Sequence, residues 1–269
     1  MATCYRHPNR ETGVSCSNCG KPICPDCMTA TPVGMRCPDC SRQRTQTRSL
    51  QSLAVDPIAT YVLIALNVLI FFGVASSPGA ENDLTLFASG RFEFGGPLHG
   101  VAEGEYWRLI STGFLHVEYW HVGLNMLALY WLGRMIEPAL GHARFVAIYL
   151  TSLLTGSLLV LILQPNVETL GASGAVYGLL GAAIVMARNR DIDLIQSGLL
   201  PILGLNFVIT LLFGFSLAAH VGGLVGGLVV TFVVEELAKR RRTSTVPAVA
   251  FCALVSVASI AGSIYVASN

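Results

Sequence analysis

The sequence predicts an all-α, polytopic membrane protein preceded by a small zinc-binding domain. Hydrophobic residues make up 53% of the 269 residues and charged residues only 12%, about half the usual share. Seven apolar stretches, each roughly 17–22 residues long, have the length that crosses a bilayer as a helix. Cysteines are concentrated before residue 41, mostly as CxxC pairs. The net charge of +1 indicates no general attraction to nucleic acid, and none is expected as a partner.

The first unit, residues 1–41, contains four ligand pairs with the spacing of structural zinc sites. Few apolar residues lie between these pairs, so bound metal has to supply the folding energy. The alternative, a disulfide cluster, leaves one thiol spare and the histidine idle. The eight predicted ligands, enough for two structural Zn²⁺ ions, are Cys4, His7, Cys16, Cys19, Cys24, Cys27, Cys37 and Cys40.

The order of the pairs favours interleaved zinc sites. Only four residues separate Cys19 from Cys24, which favours joining Cys4/His7 with Cys24/Cys27 and Cys16/Cys19 with Cys37/Cys40, although sequential pairing stays open. The unit resembles the B-box-like zinc fingers, which are mostly protein-interaction modules, so the resemblance implies a cytosolic protein partner.

Residues 1–50 carry too small an excess of Lys and Arg to indicate nucleic-acid binding.

Residues 42–56 are polar and form a predicted linker, so the first apolar stretch begins near Pro57. We therefore expect no cleaved N-terminal leader. Backbone groups in lipid must pair within their own segment, which predicts helices rather than strands. The seven predicted membrane helices are 57–75, 116–133, 145–163, 170–187, 194–213, 216–235 and 246–267.

The distribution of basic residues predicts the orientation. All but two of the 17 Lys and Arg residues, Arg91 and Arg108, fall in alternate connecting segments. The positive-inside rule places these segments in the cytoplasm, with an external C-terminus in the cell (plasma) membrane, and it keeps the thiols in a reducing compartment. The predicted cytoplasmic segments are 1–56, 134–144, 188–193 and 236–245.

The predicted external loop, residues 76–115, is too long for a simple connector. It is rich in aromatic residues, which are typical of partly embedded, interfacial structure. These residues are Phe87, Phe92, Phe94, Tyr106 and Trp107.

Polar residues of three apolar stretches fall at one predicted depth. Ser173 opens the fourth stretch, and His220 lies near the start of the sixth. His121 and Asn125 lie early in the second stretch, with His116 at its entrance. All three stretches run inward in the predicted orientation, so these side chains lie just below the external surface.

Small residues on the fourth and sixth stretches would allow Ser173 and His220 to come into contact. Small-xxx-small faces allow membrane helices to pack with their backbones close together, and a Ser–His hydrogen bond needs about 2.6–3.2 Å between heavy atoms. The glycine pairs are Gly174-x3-Gly178 in the fourth stretch, and Gly222-x3-Gly226 and Gly223-x3-Gly227 in the sixth. Packing alone accounts for the glycines, but not for a serine and a histidine at their outer ends.

These residue types predict nucleophilic catalysis. His220 is the candidate base for Ser173, while Asn125, His121 and the Ser173 N–H are candidate oxyanion donors. No carboxylate is expected near these motifs inside the membrane segments, which predicts a dyad, with Tyr177 stacking on His220. A single membrane serine is usually a packing residue, but an intramembrane histidine is costly and is more often functional.

The chain resembles the rhomboid family of intramembrane serine proteases over roughly residues 57–235. The residues that carry the resemblance are Gly171-Ala-Ser173-Gly174 with Tyr177, Ala219-His220 through Gly227, Phe114-Leu-His116 with His121-x3-Asn125, Trp107-Arg108, and Gly133-Arg134 with Glu137. The resemblance implies six core helices, a Ser173/His220 dyad, and an oxyanion site at His121, Asn125 and the Ser173 amide. It also implies cleavage of transmembrane substrates at small residues, without a catalytic cofactor.

Residues 236–269, a basic loop and a seventh helix, extend beyond the family core, as does the zinc unit. Two other functions are compatible with the composition. A catalytically silent relative that binds membrane clients usually lacks the serine or the histidine, and this chain has both. A transporter or channel needs polar residues through the full depth of the bundle, whereas here they cluster at one end.

Overall fold

The computed structural model describes residues 2–42, 56–240 and 245–269. These residues form two compact units, one within residues 2–42 and one comprising the remainder. The predicted linker, 42–56, lies almost entirely outside the described residues, and so does part of the predicted basic loop, residues 241–244.

The first unit has two short antiparallel strand pairs. Strand β1 (Ala2–Thr3) pairs with β2 (Glu11–Thr12), and β3 (Thr29–Thr31) pairs with β4 (Gly34–Arg36). A 3₁₀ turn at Pro25–Cys27 and one helical turn, α1 (Pro38–Ser41), each begin with a proline, which is pre-organised for a first helical position. The buried residues are mainly cysteines and Ile23, so the apolar core is as small as the sequence predicts.

The second unit is helical, which confirms the predicted all-α, polytopic fold. Its longer helices are α2 (Ile58–Ala75), α5 (Tyr119–Leu140), α6 (His142–Leu163), α7 (Ser173–Arg188), α8 (Leu199–Phe213), α9 (Leu217–Arg240) and α10 (Val246–Ser268). Two short helices, α3 (Ala80–Leu84) and α4 (Arg108–Ser111), lie between α2 and α5. Among the described helices, α2, α6, α9 and α10 are long and apolar enough to cross a membrane, and α7 and α8 are shorter apolar helices.

Several predicted helix boundaries need correction. The second helix, predicted at 116–133, begins after the extended residue Glu118 and ends at Leu140, where Gly141, with a φ of 81°, lets the chain turn directly into the next helix. The fourth helix begins three residues later than predicted, because Gly171 (φ 116°) bends the chain there. Left-handed glycines stop or redirect helices in this way.

The fifth and sixth helices also differ from their predicted ranges. The Asp193 side chain accepts hydrogen bonds from two N–H groups, at Ile195 and Gln196, so this segment forms a turn and α8 starts only after Gly198. Helix α9 runs five residues past its predicted end, to Arg240. Basic residues at a helix C-terminus are favoured by the helix dipole.

Helix α7 is the centre of the second unit. Almost all of its side chains are buried, and it packs most extensively against α9, with α6 and α5 on its other sides. Glycine and alanine supply much of its surface, so neighbouring helices can approach its backbone closely. Helix α10, the added seventh helix, packs mainly against α6.

The glycines of α9 serve two different neighbours. A Cβ atom added at Gly223 would lie 1.9 Å from the Gly174 carbonyl oxygen, and one at Gly227 would lie 2.0 Å from that of Gly178. Residues Gly222 and Gly226 face α6 instead, where Thr155 leaves no space for a methyl group. The sequence analysis did not distinguish the glycines of α9 that face α7 from those that face α6. The backbones of α7 and α9 are therefore in direct contact beside Ser173.

A buried arginine organises the connection between α2 and α5. The Arg108 guanidinium donates to Glu105 (2.6 Å) and to the carbonyl oxygens of Asn82 (2.6 Å) and Thr85 (2.8 Å), and it lies over the Phe87 ring. Burial alone would raise the pKa of Glu105, but hydrogen bonds from His99, Arg108 and the Gly100 N–H outweigh it and lower the pKa to about 2. An ion pair and backbone carbonyls thus hold this loop in place.

The aromatic residues of this loop do not behave as one interfacial set. Phe87 is buried and Phe92 packs edge-on against it, with ring centroids 5.5 Å apart. In contrast, Phe94, Tyr106 and Trp107 are exposed on the protein surface. Two of the five aromatic residues thus belong to the interior of the loop, and the interfacial position stays a prediction for the three exposed ones.

Candidate active site and metal centres

Ser173 and His220 lie in direct contact. Ser173 is the first residue of α7, and His220 is the fourth residue of α9. The His220 Nε2 atom lies 2.8 Å from Ser173 Oγ, and the histidine is only 4% exposed. This distance is within the range in which a histidine can take the proton of a serine hydroxyl.

The glycine contact between α7 and α9 makes this distance possible. At the end nearest the pair, a Cβ atom added at Gly174 would lie 3.3 Å from the Ala219 carbonyl oxygen. One turn further along, Gly223 reaches the Gly174 carbonyl. Because side chains do not separate the two backbones, a short serine side chain on one helix reaches a histidine on the other.

Tyr177 and Thr210 enclose the other sides of the His220 ring. The Tyr177 ring stacks on it with centroids 4.1 Å apart and an interplanar angle of 8°. The Thr210 Oγ1 atom on α8 lies 2.8 Å from His220 Nδ1 and 3.1 Å from the Tyr177 hydroxyl. The stacking agrees with the predicted placement of Tyr177. The sequence analysis missed Thr210, since one threonine in an apolar helix carries no distinguishing signal.

His121 and Asn125 lie beside the turn that precedes Ser173. A Cβ atom at Gly171 would approach the His121 ring to 2.7 Å, so the glycine allows this imidazole to lie against the backbone of the turn. The ring also stacks on Phe215, with centroids 5.3 Å apart. Asn125 donates from Nδ2 to the His121 carbonyl oxygen at 3.0 Å. An amide nitrogen carries two hydrogens, so one donor remains for another acceptor.

His116 contacts the turn that precedes Ser173. It lies in the loop before α5, not within the helix, and is fully buried. Its Nε2 atom accepts a hydrogen bond from the Ala172 N–H at 3.3 Å, and its ring packs against His121. His116 therefore holds the backbone segment that leads into Ser173.

Within the described residues, the hydrogen-bond partners of the His220 ring are two hydroxyl groups, those of Ser173 and Thr210. The buried carboxylate Glu235 lies fifteen residues along α9, about 22 Å away by helical rise. Glu137, also buried, accepts hydrogen bonds from the backbone N–H groups of Ala59 and Thr60 at the start of α2. Both carboxylates are occupied elsewhere in the helical unit.

The eight predicted metal ligands form two clusters, grouped in the interleaved order. In each cluster the four ligand atoms lie within 4.8 Å of one another. Adjacent sulfur atoms of a tetrahedral zinc–thiolate site lie about 3.8 Å apart, and Cys19 Sγ lies 3.8 Å from Cys37 Sγ. The cysteines are free thiols, which is the state that metal binding requires. The clusters are Cys4, His7, Cys24 and Cys27, and Cys16, Cys19, Cys37 and Cys40.

Further donors around the thiols fit metal-bound sulfur. The backbone N–H of Cys37 points at Cys16 Sγ (3.3 Å), that of Cys40 points at Cys37 Sγ (3.4 Å), and Asn18 donates to Cys40 Sγ (3.3 Å). Donors aimed at sulfur stabilise thiolates, and outer-sphere partners of this kind orient metal ligands. The residues present therefore fit two tetrahedral metal sites.

The helical unit defines a class of multi-pass membrane protein that carries a serine–histidine pair between two apolar helices. The Rhomboid domain family model matches residues 103–236, a range that includes Ser173 and His220. Rhomboid protease GluP of Bacillus subtilis (strain 168) is 36% identical over 180 residues, which cover 64% of this chain and 34% of GluP. The rhomboid relative YdcA of the same strain is 33% identical over 148 residues, covering 53% of this chain and 74% of YdcA.

RHOMBOID-like protein 5 of Arabidopsis thaliana is 38% identical over 140 residues, covering 49% of this chain and 45% of the relative. The chain thus spans about a third of GluP and less than half of the plant protein, but about three quarters of YdcA. With these similarities, the chain belongs to the rhomboid family.

Proposed function

We propose that this protein is an intramembrane serine protease that cleaves transmembrane substrates within or beside their membrane helices. The observation that carries the proposal is the 2.8 Å contact between Ser173 Oγ and His220 Nε2 in a buried, helical setting. Similarity to a protein named as a rhomboid protease supports it at the level of the family. Domain boundaries at 1–41, 57–235 and 236–269 belong to the same proposal.

In the proposed reaction, His220 takes the proton of Ser173 as the serine oxygen attacks the substrate carbonyl carbon. The protonated His220 then gives this proton to the leaving amine, and water hydrolyses the acyl-enzyme by the reverse roles. The tetrahedral intermediate carries negative charge on oxygen and requires nearby donors. The Ser173 N–H is such a donor, because the first N–H groups of a helix have no intrahelical acceptor. The remaining Asn125 donor and the His121 ring are the other two.

Labelling with a fluorophosphonate tests the nucleophile. Wild-type protein should be labelled, and Ser173→Ala should not, because the probe reacts with an activated serine. Ser259→Ala is the control, since Ser259 is a buried serine in another apolar helix, α10, and donates to a carbonyl of its own helix. Labelling of Ser173→Ala, or of neither protein, would count against the protease.

Turnover of a single-pass membrane substrate tests the dyad. We expect Ser173→Ala and His220→Ala each to lose about 10³-fold or more in kcat, with no further loss in the double variant, because the two residues act as a unit.

The other candidate function is the binding of membrane clients without cleavage, as a catalytically silent relative would do. The named relatives include rhomboid-like proteins as well as proteases. Client binding without cleavage by the wild type would favour that function.

The proposed orientation is a cytoplasmic N-terminus and an external C-terminus in the plasma membrane. It is supported by the asymmetry of Lys and Arg among the connecting segments. C-terminal fusions to alkaline phosphatase and to green fluorescent protein test it. We expect an active phosphatase and a dark fluorescent protein, and the opposite pair of results would reverse the orientation.

The proposed metal of both N-terminal clusters is structural Zn²⁺, because three or four thiolates with at most one imidazole in tetrahedral order are typical zinc ligands. Bound zinc would supply folding energy to residues 2–42 and takes no part in the proposed proteolysis.

Because its ligand order resembles that of B-box-like zinc fingers, we propose that this module binds a cytosolic protein. Capture of a partner by the wild-type protein, lost in Cys24→Ser, would support that role.

A further inference from the structure

The hydroxyl group of Thr210 lies within hydrogen-bond distance of three polar groups. It is 2% exposed and lies on α8, whereas the other site residues lie on or beside α5, α7 and α9. Its Oγ1 atom lies 2.8 Å from the Asn206 carbonyl oxygen, 2.8 Å from His220 Nδ1 and 3.1 Å from the Tyr177 hydroxyl. All three are hydrogen-bond distances.

Counting hydrogens assigns the direction of each bond. A threonine hydroxyl has one hydrogen and two lone pairs. The Asn206 carbonyl oxygen carries no hydrogen, so its 2.8 Å contact uses the single Thr210 hydrogen. The other two contacts must then be accepted by Thr210. Tyr177 therefore donates its O–H to Thr210, and His220 donates an Nδ1–H.

This assignment determines the other nitrogen of the ring. A neutral imidazole has one N–H and one bare nitrogen, so a hydrogen on Nδ1 leaves Nε2 unprotonated. Nε2 is the atom that lies 2.8 Å from Ser173 Oγ. The opposite tautomer would point an N–H at the serine and could not accept its proton. In carboxylate-containing triads, this choice of tautomer is made by an aspartate.

We propose that Thr210 is a positioning residue that holds His220 in the Nδ1–H tautomer, so that Nε2 is the base for Ser173. The proposal rests on the proposed protease function and deepens it. When Nε2 takes the serine proton, the Nδ1–H bond to Thr210 stays in place, and no proton passes to the threonine. Tyr177 contributes in two ways, because its ring stacks on the imidazole and its O–H is donated to the same Thr210 oxygen.

The acceptor for His220 thus comes from a helix that carries neither of the proposed dyad residues. Helix α8 packs less extensively on α7 and α9 than those two helices pack on each other. Phe207 lies edge-on to Tyr177, with centroids 5.6 Å apart, and adds an apolar contact one turn before Thr210. The protonation pattern of His220 therefore depends on α8 being docked against α7 and α9.

The test compares Thr210→Val, which keeps the shape but removes the hydroxyl, with Thr210→Ser, which restores it. Thr231→Val is the matched control, since Thr231 is a fully buried threonine elsewhere, on α9. For cleavage of a transmembrane substrate, we expect Thr210→Val to lower kcat by about 10–100-fold with KM within about twofold, because the base is present but often in the wrong tautomer. Thr210→Ser and Thr231→Val should stay within about threefold of wild type.

Nitrogen NMR of histidine-labelled protein provides a readout that does not depend on activity. The chain has six histidines, and His220→Gln identifies the signals of this ring by their loss. At neutral pH we expect a protonated Nδ1 and a bare Nε2 in wild type, Thr210→Ser and Thr231→Val. Thr210→Val should show a mixture of tautomers, and Tyr177→Phe a smaller change in the same direction.

The outcomes separate the two proposals. An Nε2–H tautomer in the wild type, or unchanged spectra and kcat in Thr210→Val, would overturn the role of Thr210. If the tautomer shifts as expected but the wild type neither cleaves substrate nor reacts with fluorophosphonate, the protease function fails and the tautomer assignment stands. If Thr210→Val does not fold, the spectra of wild type, Thr210→Ser and Tyr177→Phe still decide the assignment.

Discussion

The two units of this chain achieve order by opposite means. Within residues 2–42, six of the eight candidate ligands are buried cysteines, whereas His7 and Cys19 are exposed, and few other side chains are buried. The helical unit buries side chains along α7 and brings helix backbones into contact through glycine. In the first unit, clustered candidate metal ligands stand where an apolar core would otherwise be. In the second, the smallness of glycine and alanine positions a hydroxyl against an imidazole.

This contrast shows which perturbations each unit should resist. A unit held by metal depends on a few atoms that can be removed from solution without changing the sequence. A unit held by close helix packing is insensitive to such removal but intolerant of a single added methyl group, because the surrounding backbone cannot move aside. The following predictions test the contrast, beginning with the largest expected effect.

Removal of metal should unfold the first unit and spare the second. Structural zinc supplies about 10–16 kcal/mol in small zinc modules, far more than the small core of residues 2–42 can provide. A strong chelator should release two zinc ions per chain and expose these residues to protease, while the helical unit keeps its helix content by circular dichroism. A module that stays protease-resistant after the metal has left would contradict this.

The pairing of ligands can be tested with single cysteine variants. Cys24→Ser should release one metal ion and leave the cluster of Cys16 and Cys40 intact, because these ligands lie in the other cluster. Cys252→Ser is the control, since this thiol lies in α10, outside both clusters, and should retain two ions. A loss of both ions from Cys24→Ser would show that the sites do not fold independently.

Adding one methyl group between α7 and α9 should damage the second unit. A Cβ atom at Gly223 would lie 1.9 Å from the Gly174 carbonyl oxygen, so Gly223→Ala forces the helices apart. We expect a loss of about 3 kcal/mol in the free energy of unfolding, the upper part of the range for overpacking, together with loss of fluorophosphonate labelling.

Gly73→Ala is the matched control for the packing experiment. No atom lies within 4 Å of a Cβ built at Gly73 in α2, so this change should be neutral or stabilising by up to about 1 kcal/mol. Equal effects of the two substitutions, measured by denaturation in mild detergent, would show that the α7–α9 contact is not close.

The ion pair in the α2–α5 connection predicts a pH-dependent contribution. The pKa of Glu105 is lowered from 4.5 to about 2, so its charged form stabilises the fold above pH 4.5, and this contribution is lost as the pH falls towards 2. Glu105→Gln should lower stability by about 1.5 kcal/mol at neutral pH, and the difference from wild type should shrink below pH 4.5. Exposed Glu103→Gln should show little change, and a constant Glu105→Gln deficit down to pH 2 would exclude this account.

Deletion of the first unit should have the smallest effect on the proposed chemistry. The proposed catalytic, oxyanion and positioning residues all lie between His116 and His220, so removal of residues 1–41 should leave turnover of a detergent-solubilised substrate within about twofold. Loss of turnover by a folded truncation would show that the two units are functionally coupled.

Much of the organisation could be predicted because it follows from local pattern. The ligand spacing of residues 4–40 and the lengths of the apolar stretches are properties of consecutive residues, and both have structural counterparts. Helix ends were less predictable, since they depend on individual turns. Gly171 and Gly141 adopt positive φ values, and the Asp193 side chain caps a turn, none of which hydropathy reports.

By itself, the sequence determined the helical membrane class, the eight candidate metal ligands and the candidate residues Ser173 and His220, because composition, length and spacing are enough for these. Only the tertiary structure decided that Gly223 rather than Gly222 faces α7, that Arg108 is the buried centre of its loop, and that Thr210 contacts His220. These contacts depend on the rotation and distance of helices that are far apart in sequence, and a difference of one residue around a helix directs a side chain to a different neighbour.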